Sequence, residues 1–120
     1  MVFSNNAVYC PGFTAVDASG IADAAMSANY VEGSLTGVTI DNSRFFDGGA
    51  VSKAFVSPMK KDFWPKPDSA LANHGDPDFA AKVDFNHTPR KSPFDVGAYE
   101  REGRSKNPGW QVQAGFKSGH

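Results

Sequence analysis

A chain of 120 residues with 40% hydrophobic and 21% charged side chains is one domain or part of one, with the balance of an ordinary globular protein. Twelve Lys and Arg against thirteen Asp and Glu leave a formal charge of -1. Neither sign builds the field that draws nucleic acid or an anionic membrane, and no apolar run approaches the roughly 20 residues of a bilayer span. The first residues show no basic segment followed by an apolar one, so no secretion signal is visible, although a longer parent protein would be exported.

Residues 1–56 are rich in Asn, Gly, Ala, Ser and Val. Short β-prone runs recur along them: Ala7-Val8-Tyr9, Thr14-Ala15-Val16, Asn29-Tyr30-Val31, Gly37-Val38-Thr39-Ile40 and Arg44-Phe45-Phe46. Pro11-Gly12, Ser19-Gly20, Glu32-Gly33-Ser34 and Asp47-Gly48-Gly49 separate them as turns. Ser4-Asn5-Asn6-Ala7-Val8 repeats as Ser27-Ala28-Asn29-Tyr30-Val31 at an offset of 27 − 4 = 23, and Asn42 offers a third copy 42 − 29 = 13 residues on. A period of about 20 to 50 residues marks a solenoid or stacked array. Such a coil needs apolar inward positions and corners that tolerate left-handed backbone, which suits Gly and Asn. Asn6 and Asn29 are expected to stack as a structural ladder, amide on amide. A rival reading makes residues 17–28 a helix, with Ile21, Ala24, Ala25 and Ala28 on one face and Asp17 as cap.

The composition changes after Phe55. Ser57-Pro58 and Pro65-Lys66-Pro67 interrupt regular structure. Residues 76–82 read as one helical turn with Asp76 as N-cap and Pro77 first. Val96-Gly97-Ala98-Tyr99 is expected as a short last strand. Residues 101–120 read as a polar tail or arm, in which Trp110-Gln111-Val112-Gln113-Ala114-Gly115-Phe116 alternates like a strand.

Residues 57–100 carry a set of ordered motifs: Lys61-Asp62-Phe63, then Pro67-Asp68-Ser69-Ala70-Leu71-Ala72-Asn73-His74-Gly75, then Asp84-Phe85-Asn86-His87-Thr88-Pro89-Arg90, then Phe94-Asp95-Val96-Gly97-Ala98-Tyr99-Glu100. In this order they resemble the C-terminal closing segment of right-handed parallel β-helix proteins of the pectate-lyase-like superfamily, over roughly residues 40 to 100. Asn86-His87-Thr88 stands where the family has an Asp-Gly-Asn turn, and Ser69-Ala70-Leu71 where it has Ser-Pro-Ala. The resemblance implies an all-β chain: a right-handed parallel β-helix of few rungs (1–56), an irregular closing segment (57–100) that plugs its far end, and the tail (101–120), in one structural unit. It implies a structural or carbohydrate-associated module without a self-contained active site. The alternative is a fragment of a polysaccharide lyase or glycoside hydrolase acting on acidic polysaccharide. No catalytic residue, cofactor or metal is assigned.

Several side chains invite a sharper reading. Arg44, Trp64 and Arg90 are the candidates for carbohydrate binding, Arg for planar carboxylates and Trp as a stacking face. Against this, Arg90 between Asp84 and Asp95 suits an internal ion pair, and Trp64 between Phe63 and Pro65 suits a cover over the solenoid's end. Tyr9 and Tyr30 are further stacking faces. Arg44, Lys53, Lys60 and Lys61 are the bases a lyase would draw on, and are better read as a solvated face. Asp76, Asp78 and Asp84 supply oxygen ligands without the spacing of a calcium loop. Cys10, the one cysteine, reads as a small buried hydrophobe with no histidine near it in sequence. A rung cannot bury its apolar face alone, so the chain is expected to form a homo-oligomer or to dock on further rungs.

Overall fold

The computed structural model describes residues 1–21, 24–85 and 88–101. Among the described residues the chain is all-β, in three small sheets, with helix limited to one α-helical turn and two 3₁₀ turns. Strands β1 (Val2–Ser4) and β2 (Ala7–Asp17) are followed by β3 (Ala25–Ser27) and β4 (Asn29–Thr36), then by β5 (Phe45–Asp47). A helical turn α1 (Val51–Ala54) leads into a hairpin of β6 (Phe55–Ser57) and β7 (Asp62–Pro65).

The repeat read in the sequence is the register of the sheets. Strand β1 lies parallel to β3 with Val2 opposite Ala25 and Ser4 opposite Ser27, and β2 lies parallel to β4 with Ala7 opposite Tyr30 and Tyr9 opposite Glu32. Each pairing keeps the offset of 23. The β2–β4 register then shifts between Tyr9 and Thr14, where Pro11-Gly12 bulges outward. These two residues and Glu32-Gly33-Ser34 therefore lie within paired strands, not in turns between them. Gly33 is required there. Its φ is +125°, and a Cβ would fall 2.5 Å from the Cys10 carbonyl oxygen.

The third pass follows a shorter path. Strand β5 is parallel to β4 with Asn29 opposite Phe45, an offset of 45 − 29 = 16. Phe45, not Asn42, stands beneath Asn29. Asn42 is instead a left-handed residue (φ 56°) in a turn whose Asp41 carboxylate accepts from the backbone N–H groups of Ser43, Arg44 and Phe45. The strand expected over residues 37–40 does not form, because the chain leaves β4 at Gly37 (φ 79°) and bends directly into that turn. The rival helix over 17–28 is displaced by strand β3 within it.

The β2–β4–β5 sheet is covered on both faces. On one side Phe45, fully buried, meets Phe3 at a ring separation of 6.2 Å. Met26 and Val16 line the same layer. On the other side Tyr30 stacks on Phe46, with rings 4.8 Å apart and 6° from parallel, and packs with Ala54, Phe55, Leu71 and Val96. Leu71 and Val96 belong to the closing segment. That segment packs against the Tyr30 face of the sheet. It reaches back to the first pass, where the Gly97 N–H donates to the Asn5 carbonyl oxygen at 3.0 Å. Residues 96–99 form no strand, since their backbone groups bond to separate partners on Leu71, Asn5, Phe85 and Arg90. The 3₁₀ turn Pro77–Phe79 forms as the sequence suggests, with Asp76 accepting from the Asp78 N–H. The strand-like pattern at residues 110–116 lies outside the described residues.

Candidate functional site

The corner joining β1 to β2 recurs between β3 and β4. Asn5 and Ala28 both adopt left-handed backbone, with φ of 57° and 53°. The residue after each corner is an asparagine. Asn6 Nδ2 donates to Asn29 Oδ1 at 2.9 Å, and the Asn6 N–H reaches the same oxygen at 3.3 Å. Asn29 Nδ2 donates in turn to the carbonyl oxygens of Phe3 (2.8 Å) and Arg44 (3.1 Å). Asn29 is fully buried, and its amide spans all three passes. Asn6 is half-buried, and among the described residues its Oδ1 accepts no hydrogen bond.

Among the described residues the edge above Asn6 is open in the same sense. β1 and β2 are terminal strands in their sheets. The Tyr30 N–H donates to the Asn6 carbonyl oxygen at 2.8 Å, so alternate groups of β2 face β4 and the amides of Ala7 and Tyr9 point away from it.

One link to the closing segment was missed in the sequence. The Asp76 N–H donates to Asn5 Oδ1 at 2.6 Å, and Asn5 Nδ2 returns to the Asp76 carbonyl oxygen at 3.0 Å. Ser27 Oγ donates to the Asp76 carboxylate, which also caps the Asp78 N–H.

Arg90 is a correction in detail. Its partner is neither Asp84 nor Asp95 but Glu100, with Nη1 to Oε1 at 3.1 Å. Its guanidinium donates further to the carbonyl oxygens of Asp95 (3.2 Å) and Gly97 (2.7 Å). The side chain is 8% exposed, so its Nη groups serve the closing segment, its buried Nε makes no hydrogen bond among the described residues, and it offers no surface to a sugar. Asp84 and Asp95, both buried, accept backbone N–H groups instead: Asp84 from Thr88 and Glu100, Asp95 from Asn73 and Arg101. Burial and the neighbouring Asp95 push the Glu100 carboxyl above its ordinary range.

Trp64 is also withdrawn as a sugar platform. It is buried beside Tyr99, rings 5.4 Å apart. Tyr30 is buried between Phe46 and His74. The Tyr9 hydroxyl donates to the Gly48 carbonyl oxygen at 2.7 Å, and burial with Glu32 and Asp47 nearby raises its pKa well above the usual phenol value. Arg44 stays exposed, paired with Asp41 at 2.7 Å, and that pair with its hydrogen bonds holds the Asp41 carboxyl well below the usual carboxylate range. The carboxylates of Asp76, Asp78 and Asp84 do not converge, and among the described residues no three His, Cys, Asp or Glu groups are placed to hold a metal ion. Cys10 is a free, half-buried thiol on β2.

A feature invisible in the sequence is a cleft of about 600 Å³ between β2, the hairpin and the closing segment. Ala7, Tyr9, Phe55, Phe63, Phe85, Val96 and Tyr99 line it, with Lys61 as the charged lining residue. Among the described residues no helix is long and apolar enough to cross a membrane. Comparison with protein-family models, with curated proteins and with solved structures finds no match for this chain.

Proposed function

We propose that the chain is a structural module: the closing coils and flanking strap of a right-handed parallel β-helix of the pectate-lyase-like kind, associated with carbohydrate and without a self-contained active site. One observation carries the reading. The 23-residue sequence repeat coincides with parallel pairing in two separate sheets, β1 on β3 and β2 on β4, and with the Asn6–Asn29 amide contact. Coils of one period stacked in register account for all three at once. The link to carbohydrate rests on the resemblance of the closing motifs alone.

The module's working surface is then its open edge. The outward amides of Ala7 and Tyr9, the unshared Asn6 Oδ1 and the apolar layer around Phe3 and Val16 form the top of a stack. Further coils, or a second copy of the chain, would cover it.

A duplication tests this. A second copy of residues 1–23 placed ahead of Met1 supplies one more coil in the natural period. Its asparagine should donate to Asn6 Oδ1, and the Ala7 and Tyr9 amides should exchange at least about tenfold more slowly than in the parent chain. Unchanged exchange at both amides, with the added copy digested freely by protease, refutes the stacking reading. A glycan array of the parent chain, including acidic polysaccharides, tests the carbohydrate association separately.

A further inference from the structure

The cleft on the flank is not used by the stacking edge. Its walls are mostly carbon: Tyr9 from β2, Phe55 from the hairpin and Val96 from the closing segment form its floor, and Phe63 and Phe85 stand at its rim, 42% and 50% exposed. At about 600 Å³ it has the size of a site for one small molecule, a range of roughly 300 to 1,000 Å³. A sugar fits poorly here. Its ring hydroxyls would lose water against aromatic carbon, and the Tyr9 hydroxyl is already committed to Gly48.

Lys61 supplies the charge. It holds a left-handed position (φ 61°) at the hairpin turn and is exposed, and among the described residues its ammonium enters no ion pair. An apolar trough with one unpaired cation at its edge is complementary to an apolar body with one anionic end. We infer that the cleft binds a single amphiphilic carboxylate, its unbranched hydrocarbon chain over Tyr9, Phe55 and Val96 and its head at Lys61. Hydrocarbon burial supplies the affinity, and the lysine sets which end points out.

Dodecanoate, titrated calorimetrically below its micelle concentration, is the probe, with dodecanol as the uncharged control. Both should bind saturably at one per chain. Lys61→Gln should weaken dodecanoate by about fivefold and leave dodecanol unchanged, as expected for an exposed charge pair. Phe85→Asp should abolish binding of both while the near-UV circular dichroism stays that of the parent. Phe63→Asp serves the same purpose if the first variant fails to fold. Unsaturable uptake, or binding that survives both aspartate variants, overturns the proposal. So does a finding that these variants change only self-association, which would make the cleft a contact between copies. None of these outcomes depends on whether a coil can be added above Asn6.

Discussion

Replacing Asn29 by alanine removes four hydrogen bonds from a fully buried position. Two carbonyl oxygens, the Asn6 N–H and the Asn6 side-chain amide each lose a partner, although the Arg44 oxygen keeps the Asn29 N–H at 3.1 Å. At about 1 kcal/mol net per bond, less for the group that keeps a partner, the loss is about 3 kcal/mol. Asn6→Ala removes one donated bond at a half-buried site, and Asn29 Oδ1 keeps the Asn6 N–H, so its cost is about 1 kcal/mol. Urea unfolding followed by far-UV circular dichroism, with an unchanged dependence on denaturant, gives both values. The ratio is the expected outcome: Asn29→Ala should cost about three times Asn6→Ala. Equal costs, or a loss at Asn29 below that at Asn6, would refute the claim that this amide ties the passes together. Asn29→Asp adds a sign. A buried carboxylate facing two carbonyl oxygens has its folded pKa raised, so the variant's stability is fully present below the unfolded pKa and falls as pH rises through the folded one.

Gly33→Ala should cost more than about 2 kcal/mol, because its Cβ meets the Cys10 and Phe13 carbonyl oxygens at 2.5 and 2.9 Å. Gly12→Ala, left-handed but in open space, should cost only about 1 kcal/mol in the same urea assay. Arg90→Met leaves Glu100 buried without its cation and should cost about 3 to 5 kcal/mol, most of it recovered by adding Glu100→Gln. Opposite pH trends should separate the two ion pairs. Asp41 has a lowered folded pKa, so its contribution is present above the ordinary carboxylate range and disappears as pH falls, and Asp41→Asn should flatten that acid limb. Glu100 has a raised folded pKa, so its contribution is lost as pH rises through that value, and Glu100→Gln should flatten this upper limb. Thermal unfolding across the acid range reads both.

The first two passes were legible because their corners repeat in chemistry as well as in spacing. A left-handed residue followed by Asn and then by an apolar pair is a pattern that sequence preserves. The third pass was not, because Phe45 replaces the ladder asparagine and Arg44 contributes only its carbonyl oxygen. A backbone group leaves no mark on the sequence. The partner of Arg90 was hidden for a different reason. Asp84, Asp95 and Glu100 are all within reach in sequence and all accept backbone N–H groups, so spacing alone cannot choose between them, and the ion pair falls to Glu100. The cleft needs three separated segments brought together, so no single window of sequence contains it.

The position of the closing segment changes what holds the stack together. A parallel sheet buried on both faces is apolar on both, so alternation cannot tell the interior of a coil from its flank. Here Tyr30 and Phe46 point to one face of the sheet and Phe45 to the other, although all three read alike in sequence. A stack bound only through neighbouring coils can fray from its end one coil at a time. This strap touches the first pass at Asn5 and Ala7, the second at Ser27 and Tyr30, and Tyr30 stacks on Phe46 of the third. Fraying the first pass therefore also breaks the Asn5–Asp76 pair and the Gly97 contact, which raises its cost above that of the sheet edge alone. The described residues should unfold in one cooperative step, with the open edge protected against fraying by a segment that never crosses it.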